Sequence, residues 1–133
     1  MYVITTEASF DAAHFLKDYP GKCHNIHGHR WKVQVSLQAE TLGAEEMVID
    51  FGIIKKDLKA LCETFDHTLI IEEGSLKPQT VAALQEEDFA LSFVPFRPTA
   101  EHLSRYFFEA LQKYPVLSVD VYETPGNKAH YEL

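Results

Sequence analysis

A strict two-residue alternation from Arg30 to Glu40 is the sequence feature that most restricts how this chain can fold. The apolar positions are Val33, Val35, Leu37 and Ala39. The positions between them are polar, and they are Lys32, Gln34, Ser36 and Gln38. Because successive side chains of a strand point to opposite faces, this segment predicts a strand with one apolar and one wet face. Such a strand is typical of an antiparallel sheet that packs on one side only.

A second strand pattern lies near the N-terminus, from Tyr2 to His14. Its apolar face carries Ile4, Ala8, Phe10 and Ala12, and its other face carries Glu7, Ser9 and Asp11. His14 continues the apolar face. The two alternating segments therefore predict neighbouring strands of one sheet, with His14 at the end of the first.

Two amphipathic helices are predicted between further short strands. Apolar residues at three- and four-residue spacing predict the first helix over Gly52–Phe65. The second helix opens at Pro98-Thr99, with Thr99 as its N-cap, and Pro115 ends it. The remaining predictions are a short strand at Met47–Phe51, a loop-rich stretch at Asp66–Pro78, a short helix at Thr80–Glu87, and strands at Leu91–Phe96, Leu117–Val121 and Lys128–Leu133.

This order of elements predicts an α+β fold in a single domain over residues 1–133. We expect an antiparallel four-stranded sheet with two helices packed on one face. Hydrophobic residues make up 46% of the chain, which is enough for a core. A chain this short offers little depth for an enclosed pocket, so an active site shared between subunits is expected.

Charge and terminal sequence restrict the partners and the compartment. The net charge of −8 argues against a nucleic-acid partner, because phosphate binding needs a basic surface. The N-terminus has no signal-peptide pattern, and no apolar run is long enough to span a bilayer. A cytoplasmic protein with reduced cysteines and no membrane partner is therefore expected.

Three histidines form a candidate metal site. His27 and His29 point to the same side of an extended segment, and His14 can supply a third nitrogen from the end of the first strand. Three neutral imidazoles with an open fourth position are the pattern of a catalytic zinc ion. The alternative is that His27 and His29 are half-exposed strand residues without a metal.

Candidate acid, base and ligand-binding groups lie elsewhere in the chain. Cys23 follows a turn-rich stretch and could act as a base beside a metal and Lys22, or it could be a fifth ligand or a passive thiol. Asp66 and His67 are an acid/base pair or simply polar residues at a helix end. Glu123 shares a face with valines, so it needs a partner. That partner could be an arginine or the paired N–H donors of an aminopyrimidinone, unless Glu123 turns outwards at the strand end.

Five segments resemble the 6-pyruvoyl-tetrahydropterin synthase family, and together they cover nearly the whole chain. They are Ser9–His14, Cys23–His29, Asp66–His67, Pro98–Glu101 and Val119–Thr124. The matching family pattern is a strand ending in a zinc histidine, a cysteine followed by His-Gly-His, an Asp-His pair, a Pro-Thr-x-Glu helix opening and a late Val-x-Val-x-Glu-Thr. Each motif is weak alone, but their order is highly specific.

The resemblance implies a fold, a cofactor and roles for individual residues. It implies a T-fold (tunnelling fold) subunit in a trimer stacked into a homohexamer. It implies Zn²⁺ on His14, His27 and His29, and Cys23 as the proton-abstracting base. It implies His67 with Asp66 as an acid/base pair that can come from a neighbouring subunit. It implies Glu123 as the pterin anchor, with Thr99 and Glu101 beside it in the substrate site.

The spacing of the cysteine narrows the resemblance to one branch. Three residues separate Cys23 from His27, as in the bacterial 6-carboxy-tetrahydropterin synthases of the queuosine (7-deazapurine) pathway. The implied reaction converts 7,8-dihydroneopterin triphosphate to 6-carboxy-5,6,7,8-tetrahydropterin with release of acetaldehyde and triphosphate. Residues Thr68–Asp88 depart from the branch's pattern. The alternatives are therefore a 6-pyruvoyl-tetrahydropterin synthase that stops at triphosphate elimination, a pterin- or purine-binding module without turnover, and a structural zinc protein.

Overall fold

Six strands form one continuous sheet in the computed structural model, which describes residues 1–133. The strands are β1 (Tyr2–His14), β2 (His27–Ala39), β3 (Thr68–Glu72), β4 (Leu91–Val94), β5 (Val116–Thr124) and β6 (Asn127–Tyr131). The helices are α1 (Phe51–Glu63), α2 (Pro78–Glu86) and α3 (Ala100–Ala110). The strand order is β4-β3-β1-β2-β5-β6. None of the helices has the length and apolar character that crossing a membrane requires.

The long hairpin of β1 and β2 is the centre of the sheet. Its antiparallel register runs from the pair Tyr2–Ala39 to the pair His14–His27. The predicted alternation is confirmed, because Trp31, Val33, Val35 and Leu37 are buried while the residues between them are not. The connection between the two strands, residues 15–26, contains a short 3-10 turn at Lys22–His24.

One face of the sheet carries the core. Fully buried residues of the hairpin and of β5 pack there against the apolar faces of α1 and α3, with Ile54, Leu58, Leu103 and Phe107 at the centre. Each large side chain buried in this way stabilises the fold by about 1.5–3 kcal/mol. The opposite face has polar residues such as Glu7, Asp11, Arg30 and Lys32.

The α+β fold class is confirmed, but the sheet is larger than the four strands predicted. Strands β1, β2, β5 and β6 form the expected antiparallel part. Strand β3 adds to β1 in parallel, and β4 adds to β3 in parallel. β3 lies in the stretch predicted to be a loop, and its Ile70 and Ile71 are both buried. A strand buried on both faces lacks the alternation that marks a half-exposed one.

The remaining predictions concern the helices and the segments next to them. The region Met47–Phe51 forms no strand, because Asp50 caps α1 and accepts a hydrogen bond from the Gly52 backbone N–H at 2.7 Å. The short helix predicted at Thr80–Glu87 exists as α2, which starts with Pro78 in its first turn. Thr99 caps α3 as predicted, with its Oγ1 accepting from the His102 N–H at 3.1 Å.

Candidate metal centre and the groups around it

Three histidine rings meet at the end of the β1–β2 hairpin, on the face that carries the core. His14 pairs with His27 across the hairpin, and His29 pairs with Ala12 two residues further along the strands. The alternation of the strands sends all three rings to the same side. Ring centroids are 4.5 Å apart for His14 and His27, 4.9 Å for His27 and His29, and 5.3 Å for His14 and His29.

Backbone carbonyls set the orientation of two of these rings. His14 Nδ1 lies 2.7 Å from the Pro98 carbonyl, and His27 Nδ1 lies 2.7 Å from the Asn25 carbonyl. Because a carbonyl only accepts, each Nδ1 carries the proton, and the neutral ring leaves a lone pair on Nε2. The Nε2 atoms of all three histidines are buried without a hydrogen-bond partner. Buried polar atoms are rarely left unpaired, so this arrangement fits a metal ion.

Burial keeps His14 and His29 in the form that binds metal. Desolvation lowers the pKa of His14 to about 4, and the neighbouring His27 and His29 add to this, although the Pro98 hydrogen bond opposes it. Burial also lowers the pKa of His29, with the Glu123 carboxylate acting in the opposite direction. A neutral imidazole is the ligating species. The cluster is therefore prepared for a cation near neutral pH.

A carboxylate completes the cluster. Glu123 follows Val119 and Val121 on the core face of β5, and its Oε1 lies 3.1 Å from His29 Nε2. The potential ligand atoms of His14, His27, His29 and Glu123 all lie within 4.8 Å of one another. No arginine or lysine pairs with Glu123; its only charged-group contact is His29. Of the alternatives left open by the sequence, the arginine partner and the outward turn of Glu123 are both absent.

Trp31 forms the inner wall of the histidine cluster, and the sequence offered no sign of this role. Its ring is fully buried and meets His14 and His29 edge to face, at centroid distances of 4.9 and 5.3 Å. The indole N–H donates to the Ala12 carbonyl at 3.2 Å. Trp31 thus closes the core side of the cluster with an apolar surface.

Cys23 lies in the connection between the two histidine-bearing strands. It occupies the 3-10 turn at Lys22–His24 and is half-buried. Its backbone carbonyl accepts from the Leu16 N–H at 2.8 Å, which ties the turn to the end of β1. Its sulfur is not part of the group of four ligand atoms. Cys62, in contrast, is buried in the core.

Asp66 and His67 form a hydrogen-bonded pair at the start of β3. His67 Nδ1 donates to Asp66 Oδ2 at 2.9 Å, and Asp66 Oδ1 accepts from the Asp11 backbone N–H at 2.9 Å. These bonds, the Asp11 one foremost, hold the pKa of Asp66 below its usual value. His67 has a left-handed backbone with φ 58°, and its own N–H donates to the Asp11 carbonyl.

This pair is not part of the group of four ligand atoms. Asp11, its neighbour, lies on the polar face of the sheet and is held by Arg30 through two bonds of 3.0 Å. A cavity of about 390 Å³ is lined by Asp11, Ala13, Gly28, Arg30, His67 and Thr68, and also by Ala12 and His29. The side chain of His67 is 80% exposed. His67 thus lines a cavity together with one histidine of the cluster, but its ring stays outside the group of four ligand atoms.

Thr99 and Glu101 lie at the opening of α3, close to the cluster. Thr99 uses its oxygen as the helix cap. Glu101 is exposed and lines a cavity of about 300 Å³ together with Glu123, Lys128 and His130. Pro98, directly before Thr99, holds His14 through its carbonyl. The helix opening thus both orients a histidine and borders the space in front of Glu123.

Comparison with protein families gives one match over almost the entire chain. A sequence model described as 6-pyruvoyl tetrahydropterin synthase matches residues 3–133. A relative from Haemophilus influenzae, named 6-carboxy-5,6,7,8-tetrahydropterin synthase, is 35% identical and covers 99% of each chain. A protein of the same name from Aquifex aeolicus is 34% identical, over 90% of this chain and 82% of the relative.

Solved structures resemble the whole fold. An uncharacterised protein from Wolinella succinogenes superposes with a TM-score of 0.85 at 22% identity, covering 98% of this chain and 97% of the other. The 6-pyruvoyl tetrahydropterin synthase of Caenorhabditis elegans gives a TM-score of 0.71 at 26% identity, covering 100% and 97% of the two chains. The similarity thus extends over all six strands and the three helices.

Proposed function

The chain belongs to the 6-pyruvoyl tetrahydropterin synthase family, and we propose that it is a zinc-dependent lyase that forms 6-carboxy-5,6,7,8-tetrahydropterin. The substrate is 7,8-dihydroneopterin triphosphate. Water is consumed, and acetaldehyde and triphosphate are released. The relatives that carry the name of this activity at 34–35% identity favour it over the family's other reactions. We place the reaction in the queuosine pathway and in the cytoplasm, where Cys23 stays reduced.

The convergence of three unpartnered Nε2 atoms is the observation that carries the proposal. We assign zinc to His14, His27 and His29, because zinc favours nitrogen ligands in a site with an open fourth position. When bound, zinc supplies Lewis acidity that polarises an oxygen of the substrate and makes the adjacent C–H more acidic. The carbonyls of Pro98 and Asn25 accept from the Nδ1–H of His14 and His27, so that in the neutral rings Nε2 carries the lone pair.

The chain's own groups would handle the protons. Cys23 Sγ removes a proton from the substrate side chain as a thiolate. His67 Nε2 returns a proton, because Nδ1 is held by Asp66 and leaves the other nitrogen directed outwards. Asp66 orients this ring through its bond to Nδ1. These assignments follow the family pattern and the hydrogen bonds around each residue.

The pterin ring would be held at the opening in front of Glu123. An aminopyrimidinone edge presents two adjacent N–H donors, which match the two oxygens of one carboxylate. Glu101 lines the same cavity, and we also assign Thr99, the cap of α3, to the substrate site. Lys22 and Arg97 are the cations we favour for the triphosphate, because neither pairs with a carboxylate, whereas Arg30 is held by Asp11 and Lys32 lies 3.8 Å from Glu7.

We further propose that the working unit is a homohexamer built as a dimer of trimers. In one chain the ring of His67 is 80% exposed and stays outside the group of four ligand atoms, so we expect a neighbouring subunit to bring it to the substrate. Mixed assembly tests this idea. A His27→Ala subunit and a His67→Asn subunit are each inactive alone. Activity restored after the two are co-assembled would support a shared site, and no restoration would contradict it.

Product analysis tests the reaction itself. Zinc-loaded protein is incubated with 7,8-dihydroneopterin triphosphate, and the pterin product is identified by mass together with acetaldehyde and triphosphate. We expect the 6-carboxy product. The 6-pyruvoyl product without acetaldehyde would assign the elimination reaction instead. Absence of triphosphate release would leave a pterin-binding protein and contradict the proposal.

A further inference from the structure

Glu123 is the one carboxylate that lies among the metal-binding histidines, and its position suggests a second role. We propose that Glu123 is a ligand that moves: it occupies the fourth position of the metal in the resting protein and leaves it to hold the pterin ring. This inference rests on the proposed function, from which it takes the metal and the class of substrate. It adds that substrate binding itself opens the metal site.

The distance between Glu123 and His29 is that of two ligands of the same ion. A tetrahedral ion with bonds of about 2.0–2.2 Å holds its ligand atoms roughly 3.3–3.6 Å apart. Glu123 Oε1 lies 3.1 Å from His29 Nε2, close to this range. Oε1 is also within 4.8 Å of the ligand nitrogens of His14 and His27.

The direction of this contact argues against an ordinary hydrogen bond. His29 Nε2 has no hydrogen-bond partner although Oε1 is only 3.1 Å away, so the angle between the two groups does not suit one. The imidazole nitrogen and the carboxylate oxygen thus lie side by side. Two ligand atoms that face a common point, and not each other, have this arrangement.

Glu123 also lacks any other partner that could explain its position. Its side chain is 30% exposed, and it makes no hydrogen bond and no contact with lysine or arginine. Lys128, which lines the same cavity, is held by Asp120 at 3.2 Å. A half-buried carboxylate beside neutral imidazoles is unfavourable without a counterion. A divalent cation held by three neutral histidines supplies that charge.

The two roles of Glu123 exclude each other. The pterin edge would engage both carboxylate oxygens, so Oε1 could not remain on the metal. Glu123 therefore leaves the fourth position when the ring binds, and this position becomes free for an oxygen of the substrate side chain. In the absence of substrate, the carboxylate occupies the position that water would otherwise take.

Metal affinity tests the resting state directly. Zinc binding is measured by competition with a chelator for the unaltered protein, Glu123→Gln and Glu123→Ala. We expect zinc to bind at least about tenfold more weakly to both variants, because even the loss of an outer-shell partner costs 10- to 100-fold. Glu101→Gln is the matched control, since it removes a carboxylate from the same cavity without touching the cluster. It should leave the zinc affinity unchanged.

The movement of Glu123 is tested with Co²⁺ in place of zinc. The visible absorption of Co²⁺ depends on its ligands, so Glu123→Gln should change the spectrum of the resting protein. A pterin without the triphosphate chain should change the spectrum of the unaltered protein and leave that of Glu123→Gln as it is. Circular dichroism verifies that each variant is folded.

The outcomes separate this inference from the proposed reaction. Unchanged zinc affinity and an unchanged Co²⁺ spectrum in folded Glu123 variants would overturn the ligand role, whatever product the enzyme forms. A pterin that leaves the unaltered protein's spectrum unchanged would overturn the movement. Weaker zinc binding in the Glu123 variants supports the ligand role even if incubation with the triphosphate substrate yields no product.

Discussion

Two kinds of histidine lie at the same end of the β1–β2 hairpin, and they differ in what accepts the hydrogen bond from Nδ1. Backbone carbonyls hold His14 and His27, and burial lowers the pKa of His14 to about 4. A carboxylate holds His67, whose ring is exposed. The Nε2 atoms of His14, His27 and His29 are buried and meet in one cluster, whereas the ring of His67 is exposed. The surroundings of Nε2 thus suit the first three to bind a metal ion and suit His67 to the proton transfer proposed for it.

Removing a buried histidine should have the largest effect. His27→Ala leaves two histidines, so we expect its zinc content to fall close to zero and product formation to be lost, as zinc contributes several kcal/mol to catalysis. Elemental analysis of the purified variant measures the zinc. Zinc content equal to that of the unaltered protein would show that His27 is not a ligand.

Removing the exposed histidine should separate chemistry from metal binding. His67→Asn keeps a residue that tolerates the left-handed backbone. We expect product formation to fall by about 10²–10⁴-fold, the usual contribution of a general acid or base, while the zinc content stays the same. Asp66→Asn should lower the rate less than this. A His67→Asn variant that loses its zinc would show that His67, too, is needed for metal binding, and would contradict its role as a proton carrier only.

Replacing Trp31, which forms the inner wall of the cluster, should have an intermediate effect on zinc binding and stability. Trp31→Phe removes part of the apolar surface behind His14 and His29, and we expect about tenfold weaker zinc binding and a loss of roughly 1–2 kcal/mol in stability. Phe107→Leu is the control, because it alters the core away from the metal and should destabilise without changing zinc affinity. Equal zinc affinity in both variants would give Trp31 a purely structural role.

Replacing His130, a second histidine held by a carboxylate, should have the smallest effect, and this effect is on stability. His130 Nδ1 donates to Asp120 at 2.8 Å, and this bond raises the pKa of His130 above 6.5. The pair therefore stabilises the fold below the unfolded value of about 6.5 and loses this contribution as pH rises through the folded pKa. The side chain is 44% exposed, so we expect less than about 1 kcal/mol.

Thermal unfolding of His130→Gln measures this contribution. The difference from the unaltered protein should be larger at pH 5.5 than at pH 8.5. A difference that grows towards high pH would contradict the assigned direction of the pKa shift.

The sequence predicted the central hairpin well because alternation records burial directly. Val33 and Val35 are buried, as their pattern required, and the same alternation placed His14, His27 and His29 on one face. β3 escaped prediction because a strand buried on both faces resembles any other apolar run. The carbonyls of Pro98 and Asn25 could not be foreseen, since every residue has a carbonyl and only the folded chain directs it.

The position of Asp66 and His67 relative to the histidine cluster could not be predicted from the sequence either. Residues that belong to one motif can direct their side chains to different places. The left-handed φ of His67 and the bond from Asp11 decide their position.

The connection between the two histidine-bearing strands has a consequence for how enzymes of this kind can be altered. Residues 15–26 carry Cys23, while the metal-binding rings belong to β1 and β2 on either side. The thirteen-residue register of the hairpin fixes the rings independently of the segment that joins its strands. The proposed base, Cys23, thus lies on a segment separate from the strands that carry the histidines. A connection of different length or with a different nucleophile could be grafted between His14 and His27 while the metal centre is kept.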